Sequence, residues 1–310
     1  MERQYDVIVV GGGPAGYTAA LYAARANFSV LVLEKLSPGG QMGITPQVDN
    51  YPGFPEGIDG FTLSMNMKQG AERFGAQTKL EAVTKVDLSG KEKRVYTQKG
   101  EYTAGALILA TGASPRELGL PKEQALRGKG VSYCATCDGM FYRGKTVAVV
   151  GGGNTAVSDV LYLSRLCKRV ALIHRRDTLR ASQVYLQPLQ EAKNVDFFWN
   201  SEVTELLGGE RLSGVKIRQK TDGAEQDFSC DGLFVAIGSK PESGLFEGAL
   251  ELTEQGYVKA GETTCTSVPG VFAVGDLREK PLRQIVTAVA DGAVAAQQAE
   301  QYLLKANAAE

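Results

Sequence analysis

This sequence of 310 residues contains little cysteine, a single histidine and no long apolar run. Five cysteines, of which only two are closely paired, do not look like the framework of a secreted disulfide-rich domain. No apolar run approaches the ~20 residues that span a bilayer, and no cationic segment leads an apolar signal region. The net charge of −1 gives no indication of nucleic acid or an anionic membrane as partner. We therefore expect a cytoplasmic protein without such partners, long enough for two domains.

The two paired cysteines are Cys134 and Cys137, in the run Cys-Ala-Thr-Cys-Asp that ends at Asp138. This C-x-x-C spacing can close a small disulfide ring, and one thiol can attack what the other releases. Asp138 adds a carboxyl that can donate and accept a proton in that exchange. The alternative is half of a structural zinc site, which needs four ligands. No second C-x-x-C exists and His174 lies far along the chain, so the pattern favours redox chemistry without a metal.

The chain begins with a pattern of strand, glycine-rich loop, helix, strand and acid. It comprises the apolar run Val7–Val10, the loop Gly11, Gly13, Pro14, Ala15 and Gly16, a helical stretch to Ala26, the apolar run Val30–Leu33, and Glu34. Gly11 permits a tight turn, Gly13 lets a pyrophosphate approach the backbone, and Gly16 lets helix and strand pack closely. The helix N-terminus stabilises phosphate charge, and Glu34 can accept hydrogen bonds from ribose hydroxyls. G-x-G-x-x-G alone is weak evidence, but the whole pattern predicts a dinucleotide site.

The same pattern recurs 140 positions later, without the acid. An apolar run over 147–150 leads to the loop residues Gly151, Gly153, Asn154, Thr155 and Ala156, a helical stretch to Leu166, and a second strand that ends before His174, Arg175, Arg176 and Arg180. A carboxylate favours a free 2′-hydroxyl, whereas guanidinium groups suit a 2′-phosphate through charge-assisted bonds. The alternative is a solvated basic helix start. The contrast predicts FAD at the first loop and NADPH at the second.

Both units end in an apolar strand followed by glycine and a small polar residue, which lets the chain pass close to a cofactor. In the first unit these residues are Ala110, Thr111 and Gly112. Alternating segments, 83–103 and 203–230, predict inserted antiparallel strands. The C-terminal segment contains one predicted strand (270–276) and one predicted helix (283–304). These two elements are too few to form a separate hydrophobic core, so this C-terminal tail should return to the first unit.

We therefore predict an α/β fold with two Rossmann-like dinucleotide-binding domains, the second inserted in the first. Residues 1–116 and 245–310 should form the FAD domain, and 117–244 the NADPH domain that carries the redox disulfide. The crossings near 115–122 and 240–246 contain Pro and Gly, as hinges often do. We expect the inserted domain to swing about them, because the disulfide and the nicotinamide cannot both contact the flavin at once.

The chain resembles the low-molecular-weight, bacterial-type thioredoxin reductases of the pyridine nucleotide-disulfide oxidoreductase family over essentially its whole length. The matching stretches are Gly11–Gly16, Gly39–Gln41, Val48–Gly53, Ala110–Ala113, Cys134–Asp138, Gly151–Ala156, His174–Asp177, Gly275–Asp276 and Arg283–Gln284. Within them, the resemblance adds a set of expected FAD-site residues: Gly40, Gln41, Asn50, Gly275, Asp276, Arg283 and Gln284. Asp276 should hold the ribityl chain, and Gln284 should lie near the isoalloxazine.

The resemblance also assigns roles in a reaction. NADPH reduces FAD, the flavin opens the disulfide, and the dithiol reduces thioredoxin, with a homodimer expected. Cys137 should face the flavin, Cys134 should attack the partner, Asp138 should relay the proton, and His174 with the three arginines should hold the 2′-phosphate. Ser158 departs from the family, which more often has an acid there. The three remaining cysteines, Cys167, Cys230 and Cys265, match no redox position, and we interpret them as buried small apolar residues.

Three alternatives remain open. A relative that takes electrons from ferredoxin would lack the arginines, so their presence argues against it. A reductase that serves a peroxidase or another thiol protein would share all these motifs. A flavin-storing or redox-sensing protein without turnover would not need Asp138, and a steady-state assay with NADPH would identify it.

Overall fold

The structure, a computed structural model, describes residues 3–308. The chain forms two units: the first comprises the residues up to Ser114 and from Lys240 onward, and the second comprises Pro115–Ser239. The boundaries expected from the sequence, after residues 116 and 244, lie two and five residues later. Which cofactor each unit binds stays a prediction at this point.

Seventeen strands are present among the described residues. In chain order they are β1 (Arg3–Val10), β2 (Val30–Glu34), β3 (Gln77–Leu80), β4 (Val83–Asp87), β5 (Lys93–Thr97), β6 (Gly100–Leu109), β7 (Ala113–Pro115), β8 (Val131–Ser132), β9 (Thr146–Val150), β10 (Arg169–Ile173), β11 (Val195–Phe198), β12 (Ser201–Gly208), β13 (Leu212–Gln219), β14 (Glu225–Ser229), β15 (Gly232–Val235), β16 (Ser239–Pro241) and β17 (Val271–Ala273).

Six α-helices accompany them in the described part of the chain: α1 (Pro14–Arg25), α2 (Gly60–Glu72), α3 (Ala135–Asp138), α4 (Asn154–Ser164), α5 (Gln183–Glu191) and α6 (Ile285–Asn307). Short 3₁₀ turns cover Met42–Ile44, Gly139–Tyr142, Gly244–Phe246 and Gly275–Leu277. Within residues 3–308, no helix combines the length and apolar character needed to cross a membrane.

The sheet of the first unit is parallel at its centre and antiparallel at one edge. Its strand order is β3-β2-β1-β6-β5-β4, and β17 pairs with the last residues of β6. β1 lies parallel to β2 and to β6, with Val7 opposite both Val30 and Ala106. β4, β5 and the start of β6 form an antiparallel meander. The antiparallel insertion predicted from the alternating pattern is therefore confirmed.

The C-terminal tail returns to the first unit, as predicted. β17 pairs in parallel with β6, and α6 packs along α1. Buried alanines line this contact on both helices, including Ala19, Ala23, Ala295 and Ala299. The backbones approach so closely at Gly292 that a Cβ there would lie 2.3 Å from the carbonyl oxygen of Ala15. Small side chains thus set the distance between α6 and the helix of the first glycine-rich loop.

The second unit repeats the parallel arrangement on a smaller scale. Its five-stranded parallel sheet has the order β11-β10-β9-β15-β8, and a three-stranded antiparallel sheet, β12-β13-β14, is inserted before β15. The alternating segment 203–230 had predicted this insertion. The segments that connect the units, β7 and β16, pair with each other. The fold is α/β with two Rossmann-like domains, the second inserted in the first, as predicted.

Gly292→Ala should destabilise the protein by ~1–3 kcal/mol, the usual cost of overpacking a tight contact. Gly70 in α2 is the matched control, because no atom of the described residues beyond its chain neighbours and the backbone of its own helix lies within 4 Å of a Cβ built there. Gly70→Ala should stabilise by ~0.5–1 kcal/mol through helix propensity. Urea unfolding of both variants measures the difference. Equal stabilisation by both substitutions would show that α1 and α6 are not held by close backbone contact.

Candidate functional site

The first glycine-rich loop joins β1 to α1 through residues that leave no room for a side chain. Gly11 has φ +106°, and a Cβ there would lie 2.4 Å from the carbonyl oxygen of Ala110. A Cβ at Gly16 would lie 2.0 Å from the carbonyl oxygen of Gly11. The loop therefore turns tightly against the end of β6, and Ala110 forms one of its walls.

The N-terminus of α1 is arranged to bind an anion. Gly13 is its N-cap and Pro14 its first residue, and no side chain in the described part of the chain caps it. A Cβ built at Gly13 would meet no described atom within 4 Å, so open space lies in front of the helix. Backbone N–H groups at such a terminus stabilise phosphate. The arrangement fits the pyrophosphate of a dinucleotide.

Glu34 ends β2 and is buried against the same loop. Its Oε2 accepts a hydrogen bond from the Gly12 amide (2.8 Å), and its Oε1 accepts one from the Leu36 amide (3.0 Å). The carboxylate therefore fixes the loop through the backbone. Its expected contact with a ribose stays a prediction.

Gly275 and Asp276 follow β17 and lie beside the same helix terminus. A Cβ at Gly275 would be 3.2 Å from Cβ of Ala15. Asp276 is half-buried, but its Oδ1 atom is fully buried and has no hydrogen-bond partner within residues 3–308. Burial raises the pKa of this carboxyl, and the charges of Arg283 and Lys280 partly oppose the rise. A buried acceptor without a partner is costly, so it indicates a ligand donor such as a hydroxyl.

Asp291 on α6, which the sequence analysis did not single out, holds the Asp276 loop in place. It accepts hydrogen bonds from the Gly275 amide (2.9 Å), from Arg278 Nε and Nη2 (2.8 Å each) and from Lys280 Nζ (2.8 Å). Burial acts to raise the pKa of Asp291, but the bonds from Arg278 and Lys280 outweigh it and lower the pKa. No sequence signal pointed to Asp291, because its partners lie more than ten positions earlier on another segment.

The other residues predicted for the first site are placed by the same unit. Asn50 Nδ2 donates to Gln284 Oε1 (3.0 Å), so two expected flavin neighbours meet. Gln284 is also the N-cap of α6. The guanidinium of Arg283 stacks over the Tyr257 ring at 4.1 Å from its centroid. Thr111 Oγ1 donates to the Glu242 carbonyl (2.7 Å). Gly40, Gln41 and Gly112 lie in loops of this unit, where Gly40 and Gly112 have positive φ.

The redox pair lies in the second unit, between β8 and α4. Cys134 and Cys137 form a disulfide, and Cys134 is the N-cap of α3. The Cys137 amide donates to Sγ of Cys134 (3.2 Å), and the Asp138 amide donates to the Cys134 carbonyl (3.1 Å). Cys134, Cys137 and Asp138 are all half-buried. This short helix brings both sulfurs and the carboxyl into one group.

Asp138 is bonded to a residue that the sequence analysis missed. Ser132 Oγ donates to Asp138 Oδ2 (2.6 Å) and accepts from the Cys134 amide (3.1 Å). Burial raises the pKa of Asp138, whereas the hydrogen bond from Ser132 and the charge of Arg127 lower it. An acid with a raised pKa is suited to deliver a proton near neutral pH.

The second glycine-rich loop repeats the geometry of the first. A Cβ at Gly151 would lie 2.4 Å from the carbonyl oxygen of Ala236 and 2.7 Å from Cβ of Ala156. Gly153 is the N-cap of α4, and no side chain of residues 3–308 caps that terminus. Asn154 Oδ1 accepts from the Ser182 amide (2.9 Å), and Thr155 on the first turn is exposed.

The residues after β10 are brought against this loop. The Arg180 amide donates to the Gly152 carbonyl (2.7 Å), and the side chains of Arg175, Arg176 and Arg180 are exposed. His174 is buried instead: a Cβ at Gly152 would lie 2.1 Å from its ring, and its Nε2 is 3.0 Å from the Thr178 carbonyl. Burial and the three arginines lower the pKa of His174. The arginines thus form a positive cluster, while the ring of His174 packs against Gly152 and supports the loop.

The cysteines outside the pair differ in their surroundings. Cys167 and Cys230 are buried, as interpreted from the sequence, and burial raises the pKa of Cys167 to about 11 and of Cys230 to about 12. Cys265 is exposed, so the interpretation was wrong for this residue. Both buried thiols are therefore poor nucleophiles.

Comparison with known proteins agrees with this geometry. The pattern of the family described as "Pyridine nucleotide-disulphide oxidoreductase" matches residues 5–292. The chain belongs to this family. It is 46% identical to a thioredoxin reductase of Mycolicibacterium smegmatis over 97% of both chains. It is 45% identical to one of Bacillus subtilis, covering 97% of this chain and 96% of that protein.

Solved structures of the family have the same fold. Thioredoxin reductase from Streptococcus pyogenes superposes with a TM-score of 0.91 at 41% identity, covering 98% of this chain and all of that one. The enzyme from Giardia duodenalis gives a TM-score of 0.91 at 35% identity, with the same coverage. The resemblance to low-molecular-weight thioredoxin reductases is thus confirmed, and the chain is an oxidoreductase of this family.

Asp159 on α4 should make stability depend on pH. Burial raises its pKa to about 7, so the folded protein favours the protonated form. The stability that this protonation contributes is complete at low pH and is lost as pH rises towards 7. Asp159→Asn should therefore stabilise increasingly from pH 4 to pH 8, by up to ~4 kcal/mol, since one pH unit between two pKa values is ~1.4 kcal/mol.

Urea unfolding at several pH values measures this dependence. Ser158→Ala is the matched control, because it changes an exposed neighbour on the same helix that does not titrate. Its effect should be the same at every pH. A constant difference between Asp159→Asn and the unmodified protein would contradict the burial of this carboxyl.

Proposed function

We propose that this chain is an NADPH-dependent, FAD-containing reductase that transfers electrons through the Cys134–Cys137 disulfide to the disulfide of thioredoxin. The observation that carries the proposal is the grouping of the disulfide with a half-buried acid in a unit that also holds a dinucleotide loop and an arginine cluster. The relatives named thioredoxin reductases support the choice of substrate. The expected homodimer and cytoplasmic location stay predictions.

The first unit is proposed to bind FAD. Gly11 and Gly16 let the loop turn tightly, Gly13 leaves open space for the pyrophosphate at the start of α1, and Glu34 lies beside the loop for the ribose. The unpartnered Oδ1 of Asp276 suits a hydroxyl of the ribityl chain. The paired side chains of Asn50 and Gln284 are available for the ring system. FAD would supply the conversion of a two-electron hydride into thiol chemistry.

The second unit is proposed to bind NADPH. The pyrophosphate would lie at the start of α4, where Gly153 leaves open space among the described residues. Arg175, Arg176 and Arg180 would hold the 2′-phosphate, because their exposed guanidinium groups lie on segments anchored to this loop. His174 would contribute by supporting Gly152.

The chain's own residues would perform the thiol steps. Two electrons break the Sγ–Sγ bond, and Asp138 donates its proton to one of the two sulfurs. The pair then consists of one thiol and one thiolate. Cys134 as thiolate attacks the substrate disulfide and releases the first substrate thiolate. Cys137 then returns its proton to the Asp138 carboxylate and attacks Sγ of Cys134, which releases the second substrate thiolate and restores the disulfide. Asp138 ends as it began, so it acts as a relay.

The arginine cluster should decide between the two nicotinamide cofactors. Replacing Arg175, Arg176 or Arg180 by Gln should raise KM for NADPH at least tenfold, because a hydrogen bond to a charged group contributes ~1.5–3 kcal/mol. KM for NADH should change little. Arg165→Gln at the opposite end of α4 is the control and should affect neither. Equal effects on both cofactors would mean that the cluster is only a solvated surface.

The cysteine pair separates the two halves of the reaction and tests the function as a whole. The purified protein should contain FAD and oxidise NADPH when thioredoxin is present. Cys134→Ser should still reduce its flavin with NADPH but should lose thioredoxin reduction. Cys265→Ser, which changes an exposed cysteine of the first unit, should retain both. Stopped-flow absorbance and steady-state assays measure them. Turnover of thioredoxin by Cys134→Ser would refute this assignment, and activity only with another thiol protein would change the substrate.

A further inference from the structure

We propose that Ser132 is a positioning residue for Asp138 and that its hydroxyl holds the carboxyl in both protonation states of the reaction. The inference rests on the proposed function, since it concerns the proton relay of the same redox pair. Ser132 is 3% exposed and is the last residue of β8. It lies six positions before Asp138, and its hydroxyl links the Asp138 carboxyl to the Cys134 amide.

Ser132 is positioned by the sheet. β8 pairs in parallel with β15, and Ser132 lies opposite Phe234 in this register. Its Oγ is 2.6 Å from Asp138 Oδ2 and 3.1 Å from the Cys134 amide nitrogen, which donates to it. The backbone of β8 thus sets where the carboxyl of α3 can lie, and the same hydroxyl also fixes the first residue of the redox pair.

A hydroxyl suits a group that changes its charge. With Asp138 ionised, Ser132 donates its single proton to Oδ2. With Asp138 protonated, the acid can donate to Oγ, and the hydroxyl proton can turn to the Cys134 carbonyl, 3.4 Å from Oγ. Serine has one donor and two acceptor positions, so both patterns keep the Cys134 amide bonded. The carboxyl can therefore lose and regain a proton without leaving its place.

The other groups around Asp138 cannot replace this hydroxyl. Arg127 acts on it through charge and favours the carboxylate. Tyr142, on the 3₁₀ turn that follows α3, has a pKa raised to about 12 by burial, so it is neutral near pH 7. Asp159 is on α4, which packs against α3, and burial alone raises its pKa. The sulfurs carry no charge in the oxidised protein, and the thiolate that forms on reduction has no proton to donate. Only Ser132 therefore contacts the carboxyl as both donor and acceptor among these groups.

The role fits the balance of the thiol steps. When two electrons open the disulfide, one proton passes from Asp138 to a cysteine sulfur, and Ser132 becomes the donor to the new carboxylate. When Cys137 returns a proton to Asp138, the hydrogen bond reverses. No further reactant is needed, because the hydroxyl itself keeps its proton throughout.

The test compares Ser132→Ala with the unmodified holoenzyme from pH 5 to pH 9. Disulfide reduction by the flavin requires protonated Asp138, so its rate should fall as Asp138 ionises. Ser132→Ala should slow this step about tenfold at low pH, and the pH at which the rate is halved should rise by about one unit, because the carboxylate loses a donor. Ser132→Thr, which keeps the hydroxyl, should restore both. Stopped-flow flavin absorbance measures the step.

Ser201→Ala is the matched control. Ser201 is also a buried serine of the second unit, with hydrogen bonds to the Trp199 carbonyl and to Gln219 Oε1 (2.7 Å each). It should move neither the rate nor the pH dependence. In an Asp138→Asn background, Ser132→Ala should have no further effect on the pH dependence. If Ser132→Ala fails to fold, Ser132→Val supports the same comparison against Ser132→Thr, since valine has the shape of threonine but lacks the hydroxyl.

A measurement without turnover separates the two proposals. Carbon-13 NMR of aspartate carboxyls in the oxidised protein, with the Asp138 signal identified by its loss in Asp138→Asn, follows the titration directly. The Asp138 pKa should rise by about one unit in Ser132→Ala. An unchanged titration and an unmoved pH profile would overturn the role of Ser132, even in an active enzyme. Absence of NADPH-dependent disulfide reduction in the unmodified protein would instead refute the proposed function.

Discussion

The close passage of each glycine-rich loop past the end of a neighbouring strand is the constraint on which both units depend. In the first unit a Cβ at Gly11 would lie 2.4 Å from the Ala110 carbonyl oxygen, and in the second a Cβ at Gly151 would lie at the same distance from the Ala236 carbonyl oxygen. Each loop therefore passes directly beside the end of the neighbouring strand. The helix that follows the loop begins at that place, and its N-terminal N–H groups face open space. The remaining site residues are arranged around these two helix ends.

The residues that could be predicted from the sequence are those whose task admits few side chains. Gly11 and Gly151 have positive φ and no room for Cβ, so glycine is nearly required there. In the first unit, β2 ends in Glu34. At the corresponding place in the second unit, after β10, arginines are present instead, and their positive charge suits a 2′-phosphate. Both signals are local, and the parallel strands before them are continuous apolar runs. The fold class and the expected cofactors follow from such short segments.

The residues that escaped prediction owe their roles to contacts that no sequence pattern marks. Asp291 reads in the sequence as one more acid on a helix, yet its four bonds come from residues 11 to 16 positions earlier. Ser132 is a common residue type at the end of a two-residue strand, and its importance comes from where α3 places Asp138. The contact of the His174 ring with Gly152 was also not expected from the sequence, and its expected contact with a phosphate stays a prediction. Burial and partner geometry decide these roles, and neither is readable from residue type.

Four partly or fully buried aspartates have different tasks because their burial and their hydrogen-bond partners differ. Asp291 has four donors, its pKa is lowered, and it stays a charged structural centre. Asp159 has a pKa raised to about 7 by burial alone. Asp276 has a raised pKa and an oxygen that suits a ligand. Asp138 stands between these cases, because burial favours its protonated form, whereas the Ser132 hydroxyl and the charge of Arg127 favour the carboxylate. A proton relay needs this balance, since a fully bonded carboxylate would not hold a proton and an unbonded acid would not release it.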